Sequence, residues 1–350
     1  MQKAVLLLDV GGSYTRARLI QFAADTFVNP GLVEARTARI ADKGTLLRFI
    51  SSLLTDTAMR DRLHMAVISI AGPVTDNTVS MINWLQPDSL SLDELVETGL
   101  PVDQTILVND MQAAAHCLSA YKQGKVQLEV KPLHVMPNEG PRQNDNAVLI
   151  IPGTGVGVAA VIAGRPDNKQ SAPVCVSCEL QHTAIPILNS EHQQILNILK
   201  DKLGKTRPSW EDFISGKGLE NIHDALMRIS NDAGNTINGL PANEIAERAV
   251  QKSDTRCQAA MDMFYRCVGA LAQVLALTFQ PYGGIYLAGE SSRKNSLFIP
   301  QSPLLTELHN NPVRYDLLQA FPVYLVPADI NLDGAAYIAS QQLSRLNDSD

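Results

Sequence analysis

A pattern that occurs twice limits the folds available to this chain more than any other feature of its sequence. Residues 4–22 contain an apolar run, a glycine turn at 9–13 and a second apolar run, and residues 146–163 repeat this order around a turn at 152–157. Continuous apolar runs of this length are typical of strands that are covered on both faces. Two such hairpins, each with a turn that a phosphate could approach, predict a duplicated α/β architecture.

The rest of the chain supplies further strand and helix patterns. Apolar runs predict strands, and apolar residues at helical spacing predict helices. The predicted strands are 33–40, 65–71, 104–108, 284–288 and 323–326, and the predicted helices are 45–54, 111–121, 192–203, 222–229, 255–279 and 333–346. Because 350 residues favour two cores over one, we expect a small α/β domain of residues 1–110 plus 331–350 and a large α+β domain of residues 111–330.

Composition excludes several classes of protein. The formal net charge is -7, and a negative chain repels a nucleic-acid backbone. The apolar helix at 255–279 is interrupted by Arg266 and Gln273, which favours a core helix over a membrane span, and the N-terminal apolar run is cut off by Asp9, too early for a signal peptide. The five cysteines are odd in number and irregularly spaced, as is usual in a reducing compartment. We therefore predict a cytoplasmic protein that binds neither nucleic acid nor membrane.

The two glycine turns are candidate phosphate-binding loops. Glycines let backbone N–H groups approach a phosphate closely, and a carboxylate beside them can hold Mg²⁺ through water. Either turn alone is equally compatible with an ordinary hairpin, whereas the matched pair favours phosphate binding. The residues assigned to these loops are Asp9, Val10, Gly11, Gly12, Ser13, Gly153, Thr154 and Gly155.

Asn109 and Asp110 follow directly after the predicted strand 104–108. A carboxylate in this position can accept the proton of a substrate hydroxyl while that oxygen attacks phosphorus. Aspartate is also a common helix N-cap, so Asp110 could instead cap the helix that follows. The residues alone leave both interpretations open.

Glu179 and His182 are spaced three residues apart. A carboxylate and an imidazole held together can bind adjacent sugar hydroxyls, because each offers a directional donor or acceptor. They could equally be surface polar groups, or His182 could join Cys175 and Cys178 in a zinc site. Zinc is disfavoured, because a structural site needs four ligands and the sequence has no second Cys or His pair at a suitable spacing.

Taken together, these motifs resemble those of the bacterial glucokinase family, within the superfamily of sugar kinases, actin and related chaperones. The similarity covers nearly the whole chain in the same order. The segments that carry it are 9–16 (similar to Asp-x-Gly-Gly-Thr-Asn-x-Arg), 107–110 (Ile-Asn-Asp), 153–157 (Gly-Thr-Gly-Leu-Gly), 178–182 (Gly-Glu-Gly-Gly-His), 215–219, the adenosine motif at 287–289 and the hinge helix at 331–336.

The resemblance implies a fold, a reaction and a set of site residues. The fold is the two-lobed actin-like ATPase (ribonuclease H-like) fold with an interdomain cleft, and the reaction is phosphoryl transfer from ATP with Mg²⁺ to a hexose, most simply glucose. Asp110 would be the catalytic base and Gly289 would contact the nucleotide. The residues implied to bind sugar are Asn109, Glu179, His182 and Glu211. The implied partners are a small-molecule sugar and a nucleotide, with a possible homodimer.

Four residues depart from the family pattern, namely Tyr14, Leu180, Gln181 and Glu290. If the family pattern needs its two glycines for a positive φ or a close approach, the loop between Glu179 and His182 has to rearrange here. We expect the carboxylate of Glu290 to repel nucleotide phosphates. These departures keep open the alternative of a catalytically weak sugar-binding or regulatory protein. A kinase for mannose, fructose or an amino sugar stays open for another reason, because all these sugars offer vicinal hydroxyls that the residue types do not separate.

Overall fold

The computed structural model describes residues 3–12, 14–23, 26–55, 61–82, 84–136, 142, 144–164, 172–230 and 239–347. The predicted phosphate-binding residue Ser13 lies outside these ranges. The chain divides into two compact units, one of residues 1–127 with 330–350 and one of residues 128–329.

The first unit, over its described residues, contains a five-stranded sheet, a small three-stranded sheet and helices on both faces of the larger sheet. Its strands are β1 (Lys3–Val10), β2 (Tyr14–Ala23), β3 (Thr26–Arg39), β4 (Leu63–Ile70), β5 (Val74–Thr75), β6 (Thr78–Met81), β7 (Asp88–Ser91) and β8 (Thr105–Asn109). Its helices, numbered in chain order, are α1 (Lys43–Leu53), α2 (Leu92–Val96), α3 (Asp110–Lys122) and the C-terminal α11 (Asn331–Asn347), with a 3-10 turn at Val102–Gln104. The larger sheet has the order β3-β2-β1-β4-β8, in which β1, β4 and β8 are parallel and β2 returns antiparallel to β1.

The apolar run of β1 is buried on both faces, as the sequence predicts. Leu6 and Leu8 belong to the core on one side of the sheet, whereas Val5 and Leu7 pack on the other side with residues of α11. Alternate residues of a strand point to opposite faces, so a strand between two cores has to be apolar throughout.

The second unit, over its described residues, repeats this arrangement in a six-stranded sheet with the order β12-β11-β10-β13-β14-β9. Its strands are β9 (Lys131–His134), β10 (Ala147–Pro152), β11 (Val156–Ile162), β12 (Val174–Cys178), β13 (Ile285–Leu287) and β14 (Val323–Leu325). Its helices are α4 (Ser190–Leu203), α5 (Gly216–Ile229), α6 (Ala242–Val250), α7 (Thr255–Phe279), α8 (Glu290–Lys294), α9 (Leu304–Leu308) and α10 (Tyr315–Gln319), with 3-10 turns at Leu180–His182 and Ile299–Gln301. The β10–β11 hairpin is antiparallel and β10 pairs in parallel with β13, which reproduces the relation of β1 to β2 and β4.

Helix α7 is the central helix of the second core. By length and composition alone it could cross a membrane, but 72% of its apolar window is buried inside the structure. Gly269 allows the close approach of α9, because a Cβ at this position would lie 2.3 Å from the carbonyl oxygen of Leu304. The burial of α7 agrees with the core helix predicted from the sequence.

Several boundaries differ from those expected, and two of the differences have a clear physical reason. The first compact unit extends to residue 127 rather than 110, because α3 packs against α11 so closely that a Cβ on Gly334 would lie 1.8 Å from the carbonyl oxygen of Ala113. Helix α5 begins at Gly216, six residues before the predicted start at 222. Ser215 caps it by accepting a hydrogen bond from the N–H of Gly218 at 2.8 Å, and glycines in its first turn hide the helical pattern.

Candidate active site

Three parallel strands of the first unit end side by side. Val10 of β1, Ile70 of β4 and Asn109 of β8 are aligned in the sheet register. Asp9 lies one residue before this row and Asp110 one residue after it. Ligands of open α/β sheets bind at this carboxyl edge, so the fold brings the predicted residues Asp9, Asn109 and Asp110 to one edge.

The carboxylate of Asp9 is buried and held at both oxygens. Asp9 is 4% exposed, and its Oδ2 accepts from Nε of Arg16, the residue opposite on β2, at 3.1 Å. The Nη2 of Arg16 also contacts Oδ2, and Nδ2 of Asn331 donates to Oδ1 at 3.1 Å. A buried carboxylate needs such partners. Asn331 was not predicted as a site residue. Its position at the start of the hinge-helix motif is the sequence feature that could have indicated this role.

The first glycine turn leaves its backbone accessible. Gly11 donates from its N–H to the carbonyl oxygen of Tyr14 at 2.9 Å, and both Gly11 and Gly12 are partly exposed. The side chain of Val10 lies in the core, so only its backbone could serve a ligand. Tyr14 is 58% exposed, so the bulk of its ring lies in solvent and not in the sheet.

Asn109, and not Asp110, is the N-cap of α3. Asn109 has the extended backbone of a cap (φ -63°, ψ 143°), and its Oδ1 accepts from the N–H groups of Met111 at 2.9 Å and Gln112 at 3.1 Å. Its Nδ2 donates to the carbonyl oxygen of Gly72 at 2.8 Å. Asp110 is the first helical residue, and its Oδ1 accepts from the N–H of Met111 at 2.8 Å. The capping role that competed with catalysis for Asp110 therefore belongs mainly to its neighbour.

The second glycine turn connects β10 to β11 and is anchored to α5. Gly153 donates from its N–H to the carbonyl oxygen of Gly155 at 2.7 Å and accepts at its own carbonyl oxygen from the N–H of Gly216 at 2.9 Å. Gly153 and Thr154 are exposed. These two residues are the ones at which a ligand could approach the turn.

Glu211 lies against this turn. Its Oε2 accepts from the N–H of Val156 at 3.3 Å, and a Cβ on Gly155 would lie 2.5 Å from the same oxygen. The N–H of Glu211 donates to the carbonyl oxygen of Gln181 at 3.1 Å. Glu211 thus connects the turn at 153–155 to the segment of Glu179 and His182, a relation that its place in the sequence does not reveal.

Glu179 and His182 are brought together by a single 3-10 turn, Leu180–His182. Nε2 of His182 lies 3.3 Å from Oε2 of Glu179, and both side chains are a little under half exposed. Leu180 packs against the core of the second unit, and Gln181 is buried. Neither has a positive φ, so this turn does not need the two glycines of the family pattern.

The zinc alternative finds no support in the described residues. Cys175 and Cys178 are three residues apart on β12, which places them on opposite faces of the strand. Over the described ranges, no group of three or more His, Cys, Asp or Glu residues could hold a metal ion.

Gly289 connects β13 to α8 in a conformation that suits glycine. Its φ is +93°, and a Cβ would lie 2.7 Å from Cγ2 of Ile151. The next residue, Glu290, accepts two hydrogen bonds of 2.7 Å from Arg293 and lies 3.6 Å from Nζ of Lys294. The hydrogen bonds from Arg293 lower the pKa of Glu290. Because two cations accompany this carboxylate, the repulsion that we expected between Glu290 and nucleotide phosphates is offset within the same helix.

Known structures share this fold over almost the whole chain. A glucokinase from Balamuthia mandrillaris, solved in complex with glucose, superposes with a TM-score of 0.84 at 22% identity, covering 97% of this chain and 94% of that one. A ROK family glucokinase from Streptomyces griseus, solved with glucose and AMPPNP, has a TM-score of 0.63 at 18% identity over 97% and 99%. The duplicated hairpin sheets and these neighbours define an α/β protein with the actin-like ATPase fold.

Sequence comparison identifies the family. The family model described as Glucokinase matches residues 6–342. Curated glucokinases of Chromobacterium violaceum and Erwinia tasmaniensis are 30% identical over 324 residues (92% of this chain, 84% of the relative) and 28% identical over 349 residues (99% and 100%). The chain belongs to the glucokinase family.

Proposed function

We propose that this protein is an ATP-dependent hexose kinase that transfers the γ-phosphoryl group of ATP to the 6-hydroxyl of glucose. The observation that carries the proposal is the position of Asp110, one residue beyond the aligned ends of β1, β4 and β8, beside a neighbour that caps the helix. Membership of the glucokinase family supports glucose as the acceptor and ATP as the donor.

In this mechanism Asp110 is the general base. It accepts the proton of the 6-hydroxyl as that oxygen forms a bond to the γ-phosphorus, while the bond from phosphorus to the bridging oxygen breaks and ADP leaves. Such a reaction is accelerated mostly by alignment and by stabilisation of charge on the transferred group. The base therefore has to be held in a fixed place, which the hydrogen bond from the N–H of Met111 supports.

Four polar side chains are assigned to the sugar. Asn109 can offer the second hydrogen of its Nδ2, since the first is donated to Gly72. Glu179 and His182 present a carboxylate and an imidazole from one turn, matched to neighbouring hydroxyls. Glu211 is the fourth of these side chains, and its carboxylate is held against the turn at 153–155 by the N–H of Val156.

The nucleotide is bound by the accessible backbone of the two glycine turns, at Gly11-Gly12 and Gly153-Thr154, with Gly289 near the adenosine. Mg²⁺ prefers oxygen ligands and keeps several waters, binding through one or two carboxylates and the substrate phosphates. Asp9, whose two oxygens already accept hydrogen bonds from Arg16 and Asn331, would hold the ion through water beside the first turn, and the ion would neutralise charge on the phosphates.

The state of the cysteines supports a cytoplasmic location for this enzyme. In the described parts of the chain, which include all five cysteines (117, 175, 178, 257 and 267), no disulfide is formed. Structural disulfides are rare where thiols are kept reduced. A homodimer stays a prediction from the family resemblance, and light scattering of the purified protein would test it.

A coupled assay of ADP release with ATP, Mg²⁺ and glucose tests the proposed reaction. Asp110→Ala should lower kcat by about 10²–10⁴-fold, the usual contribution of a general base, while the Kd for glucose changes little. Asp103→Ala is a matched control, because Asp103 is exposed just before the other end of β8. Wild-type turnover in Asp110→Ala would refute the assignment of the base. A wild-type protein that binds glucose without releasing ADP would instead support the regulatory alternative.

A panel of hexoses tests the acceptor. The value of kcat/KM for glucose should exceed those for mannose, fructose and glucosamine. These sugars share most of their hydroxyls, and one altered contact changes recognition by a few kcal/mol at most. A higher value for another member of the panel would identify a kinase for that sugar.

A further inference from the structure

Gln181 occupies a position that the family pattern gives to glycine, and its side chain is turned towards the sugar-binding carboxylate. It is 7% exposed, and its Nε2 donates to Oε2 of Glu179 at 2.7 Å. Its carbonyl oxygen accepts from the N–H of Glu211 at 3.1 Å. One residue is therefore bonded to both glutamates that we assign to the sugar.

The backbone around Gln181 is held in place independently of any ligand. The segments 181–185 and 208–211 pair through the bridge between Ala184 and Ser209 and through the bond from the N–H of Ile185 to Pro208. Trp210 adds a bond from its N–H to the carbonyl oxygen of Thr183 at 3.2 Å. The amide of Gln181 thus projects from a fixed main chain, as a group that orients another side chain must.

A contribution to the stability of the fold does not explain why residue 181 carries a side-chain amide. Its Oε1 is buried and has no hydrogen-bond partner among the described residues. A buried unpaired carbonyl destabilises a fold, and an apolar side chain of the same length would avoid that loss. What an apolar side chain could not supply is the N–H donated to Glu179.

We propose that Gln181 is a positioning residue of the sugar site, whose side-chain amide fixes the carboxylate of Glu179 for the hexose hydroxyls. This inference rests on the proposed function. Oε2 of Glu179 accepts from Nε2 of Gln181 and lies 3.3 Å from Nε2 of His182, whereas Oε1 has no hydrogen bond within the described part of the chain. Oε1 is then the atom that accepts a hydrogen bond from the sugar, and the bond from Gln181 to Oε2 keeps it pointed at one place.

Gln181→Met tests this role, because methionine keeps the length and the packing but removes the N–H donor. We expect the Kd for glucose, measured by calorimetry without nucleotide, to rise about tenfold, the effect of losing one hydrogen bond to a charged group. The KM for glucose should rise in parallel while kcat stays within about twofold, because uniform binding is lost and the base is untouched. The Tm should be unchanged or higher, since the unpaired carbonyl is gone.

A matched control removes an equivalent bond elsewhere. Gln251 donates from Nε2 to Oε1 of Glu247 at 3.1 Å on an exposed helix end, so Gln251→Met should leave the Kd for glucose unchanged. Gln181→Asn withdraws the same amide by one methylene and should weaken glucose binding as methionine does, which covers the case in which Gln181→Met fails to fold.

The outcomes separate the inference from the proposed function. An unchanged Kd in folded Gln181→Met, or a lowered Tm with an unchanged Kd, would overturn the positioning role and leave the kinase proposal standing. A wild-type protein that does not bind glucose would overturn both.

Discussion

Asn331, the first residue of the C-terminal helix, donates a hydrogen bond to Oδ1 of Asp9 at 3.1 Å across 322 positions of sequence. Arg16 holds the other oxygen of the same carboxylate. The orientation of the acid beside the first glycine turn is therefore set jointly by the neighbouring strand and by the last helix of the chain. This contact joins the two ends of the sequence at the place assigned to the nucleotide.

Replacing Asn331 with leucine should weaken nucleotide use more than sugar binding. The buried carboxylate of Asp9 would lose one of its donors, which should lower the free energy of unfolding by about 1–3 kcal/mol. Because partners of a metal-orienting carboxylate commonly affect function about tenfold, we expect KM for Mg-ATP to rise by that order. Urea denaturation and steady-state kinetics would measure both, with the Kd for glucose unchanged.

Asp333→Asn provides a control in the first turn of the same helix. Its carboxylate is 2.7 Å from Nη1 of Arg18, and both side chains are more than a third exposed. Exposed ion pairs contribute at most about 1 kcal/mol, so neither stability nor KM for Mg-ATP should change much. An Asn331→Leu variant with wild-type KM for Mg-ATP would argue that Asp9 does not serve the nucleotide.

Substitution of Asn109 should lower the stability of the protein more than substitution of Asp110, the proposed catalytic base. Asn109→Ala removes the cap of α3 and the bond to Gly72, which should cost at least about 1 kcal/mol. Asp110→Ala removes a carboxylate from the first turn of a helix that keeps its cap, so its cost should stay below about 1 kcal/mol. Denaturant unfolding of both variants would compare them. A larger loss in Asp110→Ala would mean that Asp110 is the cap after all.

The residues that could be predicted from sequence are those whose roles depend on local pattern. The run at 4–8 indicated a strand buried on both faces, because such a strand has to be apolar at every position. The glycine turns of both hairpins could be found because each interrupts such a run. The presence of a cap at the start of α3 was equally readable.

Which of two adjacent residues caps α3 could not be predicted. Asparagine and aspartate are both good caps, and the choice depends on where the backbone leaves the extended conformation. In the structure that point is Asn109, with ψ at 143°, and Asp110 is already helical. A shift of one residue in the start of the helix thus decides which side chain caps the helix and which is left for the candidate site.

Contacts between segments that are distant in the sequence could not be predicted either. Nothing local relates Asn331 to Asp9 or Gln181 to Glu211, because pairing of this kind depends on how strands and helices pack. Gln181 was noted only as a departure from a glycine, and its side chain proves to be bonded to Glu179. The sites of a fold are built from such long-range pairs, whereas sequence patterns report mainly local structure.

Gly153 and Gly155 of the second glycine turn should differ in how well they tolerate substitution by alanine. A Cβ on Gly155 would lie 2.5 Å from Oε2 of Glu211, so Gly155→Ala has to displace this carboxylate and break its bond to Val156. Because the end of the Glu211 side chain can move aside, we expect a loss of about 1 kcal/mol in the free energy of unfolding, the contribution of the broken hydrogen bond. A Cβ on Gly153 would meet its nearest atom at 3.8 Å, so Gly153→Ala should lie within about 0.5 kcal/mol of the wild type. Equal losses in thermal or urea unfolding would contradict the position of Glu211.

His192 should make the second unit sensitive to acid. The ring is fully buried 4.7 Å from Phe213, and its Nδ1 accepts from the N–H of Leu188 at 3.2 Å, so the imidazole is neutral. Burial, with a smaller effect of Arg266, lowers the pKa of His192 to about 4, from about 6.5 in the unfolded chain.

Because the folded pKa is the lower one, protonation of His192 favours the unfolded state. The stability that comes from the neutral ring is fully present above about pH 6.5 and is lost as the pH falls towards about 4, which amounts to about 2 kcal/mol between pH 7 and pH 5. His192→Asn keeps an acceptor for the N–H of Leu188 but cannot be protonated, so its stability should fall less over this interval by about that amount. Urea unfolding at the two pH values would measure the difference, in which the titration of all other groups cancels. Equal losses in the two proteins would mean that the buried imidazole is not the group that titrates.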